Sequence, residues 1–211
     1  MLYIILAIIA AYMLGSIPTS VWIGRLFFDV DVRDEGSRNA GATNTIRVLG
    51  WKAGIPVLIF DVFKGWLAVY LIRFLPSEVF QVLPLLWIRI LAAAAAVAGH
   101  IYPVYIGFRG GKGVATLLGV GIALYPVAVW FVVLAFVVVL LTSGIVSLSS
   151  VLASIIFPLL VIFLFPPGHL ALVILSIAVG LFVPLTHLSN IKRLIKGEEK
   201  KISIRKKKNV P

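Results

Sequence analysis

The chain contains no cysteine and few charged residues. Without cysteine it can form no disulfide bond and no thiolate metal site, and it has no cysteine nucleophile. Charged residues make up only 13% of the sequence, whereas 61% of the residues are hydrophobic. So few polar side chains cannot cover a water-soluble globule, and the composition therefore predicts an integral membrane protein.

Acidic residues are scarce as well. The sequence has eight Asp and Glu but 19 Lys and Arg, which gives a formal net charge of +11. Such a charge could indicate nucleic-acid binding, but nine of the 19 basic residues lie between positions 192 and 208. A basic tail that faces anionic lipid headgroups explains them more simply. We therefore predict one membrane domain over residues 1–211, with residues 192–211 as its basic cytoplasmic tail and with no nucleic-acid partner.

No Lys or Arg occurs before Arg25, so the N-terminus lacks the charged start of a cleaved signal peptide, and we expect the first apolar segment to be retained. That segment, residues 2–22, has about 20 apolar positions, enough to cross a hydrocarbon core of roughly 30 Å as a helix. Further predicted spans lie at residues 53–75, 79–98, 151–165 and 170–184.

Residues 114–141 are harder to interpret, because 28 apolar residues are interrupted by Tyr125-Pro126. One long tilted helix would place the serines at positions 143–150 on the side opposite the glycine-rich loop at 109–113. Two short helices would place them on the same side. We favour two short helices, because the serines then join the other polar segments, although serines also pack membrane helices together. The predicted fold is an all-α integral membrane bundle of seven transmembrane helices, two of them short, with polar loops.

Basic residues are distributed unevenly among the connections between these segments. Five lie in residues 25–52, two in 99–113 and nine after 186, but none lies in the turns at 76–78, 125–126 or 166–168. Because Lys and Arg favour cytoplasmic loops, this pattern predicts cytoplasmic polar segments, a cytoplasmic C-terminus and an extracytoplasmic N-terminus.

The first polar segment is GSRNAGATNTIR at residues 36–47. Its hydroxyl and amide side chains offer hydrogen bonds, its glycines allow close backbone approach, and its arginines suit oxyanion recognition. The alternative is a solvated connecting loop with no binding role.

The second polar segment is GHIYPVYIGFRGGKGVAT at residues 99–116, which places Arg109, Gly110, Gly111, Lys112 and Gly113 side by side. Glycine N–H groups can converge on an anion, and a neighbouring lysine adds a mobile charge. The nucleotide P-loop pattern fails, because it requires glycine at 106 and serine or threonine at 113. A flexible turn whose Lys112 merely follows the positive-inside rule is the alternative.

Three charged residues lie within predicted spans. Asp61 and Lys64 share one helical face, where we expect them to form a structural ion pair; otherwise they support the polar site. Arg89 must face other helices or a water-filled groove, and support and substrate contact remain equal alternatives for it.

In this order, the polar segments resemble the motifs of the bacterial acyl-phosphate:glycerol-3-phosphate acyltransferases, the PlsY family. GATN followed at this distance by GGKGVAT is a specific combination, and VSLSS at 146–150 and HLSNIKRLIKGEE at 187–199 resemble the remaining motifs. The similarity covers nearly the whole chain. Arg38 and Arg109 depart from the expected small residue or lysine, and Ser143-Gly144 replaces a basic and an aromatic residue.

The resemblance implies transfer of a fatty acyl group from acyl phosphate to the 1-hydroxyl of glycerol 3-phosphate in the bacterial inner membrane. The products would be lysophosphatidate and inorganic phosphate. An acyl phosphate is already activated, so the enzyme need only align the hydroxyl and stabilise developing negative charge, without a covalent intermediate, a metal or a cofactor. Acyl-CoA is not the expected donor, because no additional nucleotide-binding segment is evident. Oligomeric state is not predicted.

Site residues follow from the same resemblance. The candidate catalytic residues are Ser37, Asn44, Lys112, Ser150, His187 and Asn190. The candidate substrate-binding residues are Gly36, Arg38, Asn39, Gly41, Thr43, Arg47, Arg109, Gly110, Gly111, Gly113, Ser147, Ser149 and Arg193. His187 is the one plausible side-chain base, because an intrinsic pKa of about 6.5 suits proton transfer near neutrality. The alternative is that His187 is a hydrogen-bond partner and that substrate phosphate takes the proton.

Two other classes of function compete with this interpretation. A transporter of phosphate-bearing solutes would use similar broken helices and cationic loops, but it needs polar residues through the bilayer, whereas here they concentrate on one face. A scaffold whose basic tail recruits lipid leaves both polar segments unexplained. The sequence therefore favours the acyltransferase.

Overall fold

A computed structural model of the protein describes residues 1–202, and these residues form helices and connecting segments without any strand. Residues 203–211, the end of the predicted basic tail, lie outside the described part. The α-helices are α1 Leu2–Ser16, α2 Thr19–Phe28, α3 Ala42–Leu49, α4 Trp51–Tyr70, α5 Val79–Val82, α6 Leu85–Ile101, α7 Val114–Leu124, α8 Ala128–Ser143, α9 Val146–Leu159, α10 Leu170–Thr186 and α11 Leu188–Ile195. Short 3-10 turns cover Leu71–Phe74 and Val104–Ile106, and a π-helical turn covers Leu160–Leu164.

Four helical segments of the described chain are long and apolar enough to cross a membrane: Leu2–Phe28, Trp51–Phe74, Leu85–Ile106 and Val146–Leu164. A fifth is possible if Leu170–Thr186 and Leu188–Ile195, which are bent by 62°, form one span. The apolar helices Val114–Leu124 and Ala128–Ser143 are shorter. The prediction of an all-α membrane protein is therefore confirmed, whereas the count of seven spans stays a prediction.

Proline and glycine explain where helix boundaries agree with the sequence and where they differ. The predicted break at Tyr125-Pro126 is present, between α7 and α8. The first apolar segment is longer than expected and broken at Ile17-Pro18, because proline cannot donate a backbone hydrogen bond inside a helix. The third long helix begins after Pro84 instead of at Val79, and the short α5 precedes it.

The chain divides into two compact units, and the first is Met1–Pro126. Within it α1 packs against α6, and α4 packs against both α7 and α3. Glycine allows the α4–α7 backbones to approach closely, since a Cβ on Gly65 would collide with the carbonyl of Thr116 and a Cβ on Gly119 with that of Val62. This packing fixes the start of α7 against α4, and the residues before that start are those of the glycine-rich loop.

The second unit begins at Val127, and within it α9 packs against both α8 and α10. Gly144 ends α8 with a φ of +71°, and α9 then starts at Val146, earlier than the predicted start at 151. Ser147, Ser149 and Ser150 consequently lie in the first turns of a helix and not in a connecting loop.

Candidate functional site

Asn44 holds the first polar segment in place from the first turn of α3. Its Oδ1 accepts a 2.7 Å hydrogen bond from the backbone N–H of Ser37, and its Nδ2 donates to the carbonyls of Val32 at 2.6 Å and Glu35 at 3.1 Å. Gly36 has a φ of +64°, and a Cβ there would collide with Asn44 Oδ1. The buried Asn44 side chain therefore shapes the loop, and the Ser37 side chain is exposed on it.

The other candidates of this segment differ in exposure. Arg38 is exposed and has a φ of +59°, Asn39 is half-buried, and Gly41 is the buried residue that precedes α3. Thr43 and Arg47 are half-buried and four residues apart on α3, so they lie on one helical face. Thr43 and Arg47 are thus presented together from a regular helix.

Arg33, three residues before this segment, connects it to the second polar segment at residues 99–116, a contact that the sequence did not indicate. Its Nε and Nη2 donate to Asp31, while its Nη1 donates to the carbonyl of Ile106 at 2.9 Å. Hydrogen bonds from Arg33 hold the pKa of the Asp31 carboxyl well below its usual range, despite the opposing effect of burial. The structure therefore brings the first two polar segments together in the first unit.

The glycine-rich loop folds back onto the end of α6. The N–H of Gly110 donates to the carbonyl of Ile101 at 3.0 Å, and the N–H of Gly111 donates to that of His100 at 3.1 Å. These two amides therefore anchor the loop on α6, and direct phosphate binding by Gly110 and Gly111 stays a prediction. Gly113, with a φ of +82°, precedes α7, and no side chain caps that helix.

The N-terminus of α7 is consequently the part of this loop best suited to an anion. The first N–H groups of a helix lack intrahelical acceptors, and the helix dipole adds partial positive charge at that end. Lys112 lies directly before Gly113 and is half-buried, whereas Arg109 is exposed. The arrangement can bind a phosphate group through a lysine and a helix N-terminus.

A buried charged cluster lies beneath this loop. Asp61 Oδ1 is 2.8 Å from Lys64 Nζ, which confirms the predicted ion pair, and 3.6 Å from His100 Nδ1. Lys64 Nζ also donates to the carbonyl of Ile17, at the break between α1 and α2. The other edge of the His100 ring lies against the loop, since a Cβ on Gly111 would collide with His100 Nε2. No role for His100 was predicted from the sequence.

The second unit has its own polar cluster, centred on Glu199. Its carboxylate accepts hydrogen bonds from Ser147 Oγ at 2.8 Å, Asn190 Nδ2 at 2.5 Å and Arg193 Nε at 2.6 Å. Burial alone would raise the pKa of the Glu199 carboxyl, but these hydrogen bonds outweigh burial and lower it. Three predicted site residues are therefore brought together by a glutamate that sequence reasoning did not select.

The remaining candidates of this unit are placed by backbone carbonyls. Ser149 Oγ donates to Ile145 and Ser150 Oγ to Val146, both at 2.9 Å, which is ordinary bonding of a serine to its own helix. His187 is buried, and its Nδ1 is 2.8 Å from the carbonyl of Val183. Because a carbonyl oxygen only accepts, Nδ1 carries the hydrogen, and in the neutral ring Nε2 carries the lone pair.

Fold and geometry together define a helical membrane protein in which a lysine directly precedes an uncapped helix N-terminus, an arrangement suited to an anion. The family model described as glycerol-3-phosphate acyltransferase matches residues 5–197. The chain belongs to the glycerol-3-phosphate acyltransferase family.

Individual relatives and solved structures agree with this assignment. A glycerol-3-phosphate acyltransferase of Macrococcus caseolyticus is 43% identical over 96% of this chain and 99% of its own length. A glycerol-3-phosphate acyltransferase of Chlorobium chlorochromatii is 38% identical over 98% of this chain and 100% of its own length. The crystal structure of PlsY (YgiH), an integral membrane glycerol 3-phosphate acyltransferase, in its glycerol 3-phosphate form, has a TM-score of 0.84 at 35% identity, covering 95% of this chain and 96% of that chain. Its lysophosphatidic acid form gives a TM-score of 0.82 at 34% identity, with the same coverage.

Proposed function

We propose that the protein transfers a fatty acyl group from acyl phosphate to the 1-hydroxyl of glycerol 3-phosphate, giving lysophosphatidate and inorganic phosphate. The observation that carries this proposal is the N-terminus of α7, preceded by Lys112 and Gly113, in a chain with membrane-spanning helices. Both substrates carry phosphate, and the donor also carries an acyl chain that can remain in lipid. Membership of the glycerol-3-phosphate acyltransferase family supports the acceptor and the reaction class.

Phosphate binding is assigned to the first unit. Lys112 supplies a compact positive charge beside the first amides of α7, and Arg47 supplies a planar fork from α3. The exposed hydroxyl of Ser37 is a further donor, whereas Asn44 acts through the loop that it holds. Contacts at the rim of the site are proposed for Gly36, Arg38, Asn39, Gly41, Thr43 and Arg109.

In the reaction, the hydroxyl oxygen of glycerol 3-phosphate forms a bond to the acyl carbonyl carbon, the carbon–oxygen bond to phosphate breaks, and phosphate leaves with the electron pair. His187 Nε2 is proposed to accept the hydroxyl proton, because the hydrogen bond from Nδ1 to Val183 keeps the lone pair on Nε2. Leaving phosphate is the alternative acceptor. Cationic groups stabilise the charge that develops on phosphate and on the carbonyl oxygen.

The Glu199 cluster is proposed to orient polar groups of the second unit. Asn190, Arg193 and Ser147 each donate one hydrogen bond to the glutamate, which fixes the orientation of their side chains. Ser149 and Ser150 can accept a hydrogen bond through the oxygen while the hydroxyl hydrogen is donated to the helix.

Topology is part of the proposal. We propose seven crossings, with α7 and α8 as the two short ones, in the bacterial inner membrane and with the polar segments in the cytoplasm. Cysteines introduced at Asn39, Gly113 and Lys200 should then be labelled only from inside, and one at Ser77 only from outside. Labelling of a cysteine at Ser149 from outside would show that residues 114–141 form a single span.

The deciding experiment is incubation of purified protein with glycerol 3-phosphate and either an acyl phosphate or acyl-CoA, followed by detection of lysophosphatidate. Product with acyl phosphate but not with acyl-CoA is expected. Efficient turnover with acyl-CoA alone would refute the donor assignment. Uptake of glycerol 3-phosphate into proteoliposomes without acyl product would instead establish a transporter.

A further inference from the structure

Two arginines of the first unit lie far from the glycine-rich loop. Arg89 is in the second turn of α6, and Arg73 is in the 3-10 turn after α4, which packs against α6. The end of α6 that carries the loop is at Ile101, so twelve helical residues, or about 18 Å at 1.5 Å per residue, separate Arg89 from it. This arginine pair is therefore not part of the proposed phosphate site.

Arg89 has an incomplete hydrogen-bond environment. Its Nε is buried and has no hydrogen-bond partner within the described residues. Arg73, a second cation, lies on the 3-10 turn that packs against α6, and no ion pair within residues 1–202 includes either arginine. A buried cationic N–H without an acceptor is costly, and a second cation nearby adds to that cost. An anion from outside the chain would neutralise the charges of the two guanidinium groups.

The surroundings of the pair indicate where that anion comes from. The Arg73 guanidinium lies over the rings of Tyr70 and Phe74, 5.1 Å and 5.6 Å from their centroids. Trp87, in the first turn of α6 and two residues before Arg89, is exposed. Arginine and aromatic residues at the end of apolar spans are typical of the level of lipid headgroups. The exposed side of Arg73 is thus positioned to meet a lipid phosphate.

We propose that Arg73 and Arg89 bind the phosphate group of an anionic phospholipid at the end of the first unit remote from the glycine-rich loop. The half-buried Arg89 contributes the charge of its guanidinium, and Arg73 contributes charge from the exposed side. The bound lipid neutralises the two cations and stabilises the contact between α6 and the 3-10 turn after α4. It plays no part in acyl transfer.

The test uses the full-length protein in detergent micelles, with three added probes: phosphatidylglycerol, phosphatidylcholine and inorganic phosphate. Lipid retention is measured by native mass spectrometry, and stability by the thermal unfolding midpoint. The variants are Arg73→Gln, Arg89→Gln and Arg89→Lys, the last of which keeps a charge but loses Nε. Arg25→Gln is the control, because it also removes one arginine, but one that is exposed and paired with Asp31.

We expect phosphatidylglycerol to be retained in preference to phosphatidylcholine and to raise the midpoint of the wild type and of Arg25→Gln. Arg73→Gln and Arg89→Gln should bind phosphatidylglycerol about ten- to a hundredfold more weakly, as for the loss of a charge-assisted hydrogen bond. The affinity of Arg89→Lys for phosphatidylglycerol should lie between that of these two variants and that of the wild type. Turnover of Arg73→Gln should stay close to that of the wild type.

Equal retention of phosphatidylglycerol by the wild type and by Arg73→Gln would overturn the proposal, and this exposed substitution decides the matter even if Arg89→Gln does not fold. If inorganic phosphate at the same concentration raised the unfolding midpoint as much as phosphatidylglycerol does, the assignment of the anion to a lipid would be wrong. Unchanged lipid preference with lost turnover in Arg73→Gln would place the residue in catalysis instead.

Discussion

Both units contain a buried carboxylate that holds polar groups, but the two carboxylates work in different ways. Asp61 lies inside a membrane-spanning helix and is paired with Lys64 and His100, neither of which was among the predicted site residues. Glu199 follows the last helix and binds three residues that were: Ser147, Asn190 and Arg193. We infer that Asp61 supports a loop from beneath, whereas Glu199 orients site residues directly.

The largest effect should come from breaking the first cluster. Asp61→Asn leaves the buried Lys64 charge without its partner, and we expect a loss of about 3–5 kcal/mol in the free energy of unfolding. The measurement is denaturant or thermal unfolding in detergent micelles. Asp34→Asn is the control, because Asp34 is exposed outside the spans.

The double variant Asp61→Asn/Lys64→Met should regain part of the stability, since it removes the uncompensated charge. A single variant as stable as the wild type would show that the pair is dispensable and that the comparison between the two clusters is wrong.

The next effect concerns the loop that the first cluster supports. Lys112→Ala should lower kcat/KM by roughly ten- to a hundredfold, the loss expected for a charge-assisted phosphate contact of about 1.5–3 kcal/mol. Lys200→Ala removes the same charge from an exposed position, where salt screens it, and should have little effect. Steady-state kinetics on both variants is the measurement, after their folding has been compared.

Near-native turnover by Lys112→Ala would show that the loop is only a turn. The phosphate site of the first unit would then have to be rebuilt around Arg47. Lys112→Arg is not expected to restore activity, because a planar guanidinium replaces a compact ammonium between glycines.

Variants of His100 can distinguish two roles of this residue: support of the glycine-rich loop at Gly111 and pairing with the charge of Asp61. His100→Gln can place an amide near the former Nε2, against Gly111, whereas His100→Asn reaches only the former Nδ1, facing Asp61. We expect KM for glycerol 3-phosphate to rise by about tenfold at most in His100→Asn and by less in His100→Gln, with kcat changing less than KM in both. Better retention of KM by His100→Asn would indicate that only the contact with Asp61 matters.

The smallest effect should appear only at acid pH, in the second cluster. Hydrogen bonds lower the native pKa of Glu199, so its stabilising contribution is complete above about pH 4.3, the ordinary glutamate value, and is lost as the pH falls through the native pKa. The thermal midpoint of the wild type should therefore fall more steeply with acidification than that of Glu199→Gln. Glu198→Gln, at the exposed neighbouring position, should follow the wild type. Parallel curves for Glu199→Gln and the wild type would contradict a stabilising role for this carboxylate.

Local features of the sequence were sufficient to predict several elements. Proline at 126 breaks α7 from α8 because it lacks an N–H, and Asp61 and Lys64 meet because residues three apart share a helical face. The start of α9 was predicted too late, since serines count as polar in a hydropathy profile. In the helix, Ser149 and Ser150 satisfy their hydroxyls on carbonyls four residues earlier.

Contacts between distant positions could not be predicted in this way. Arg33 is 73 residues from Ile106, and Ser147 is 52 residues from Glu199. Neither Arg33 nor Glu199 was assigned a role from the sequence. Which carboxylate or carbonyl such a side chain meets depends on helix packing, and a single sequence does not specify that packing. The anchoring of Gly110 and Gly111 on α6 was missed for the same reason.

That anchoring affects the thermodynamics of ligand binding. Ordering a mobile backbone costs about 1–2 kcal/mol of conformational entropy per residue, a cost that a ligand must overcome when it organises a loop. The amides of Gly110 and Gly111 are already bonded to the carbonyls of Ile101 and His100, so folding has restricted this part of the loop before any phosphate arrives. A preorganised loop lets more of the interaction energy contribute to affinity, and binding should accordingly show only a small unfavourable entropy of loop ordering.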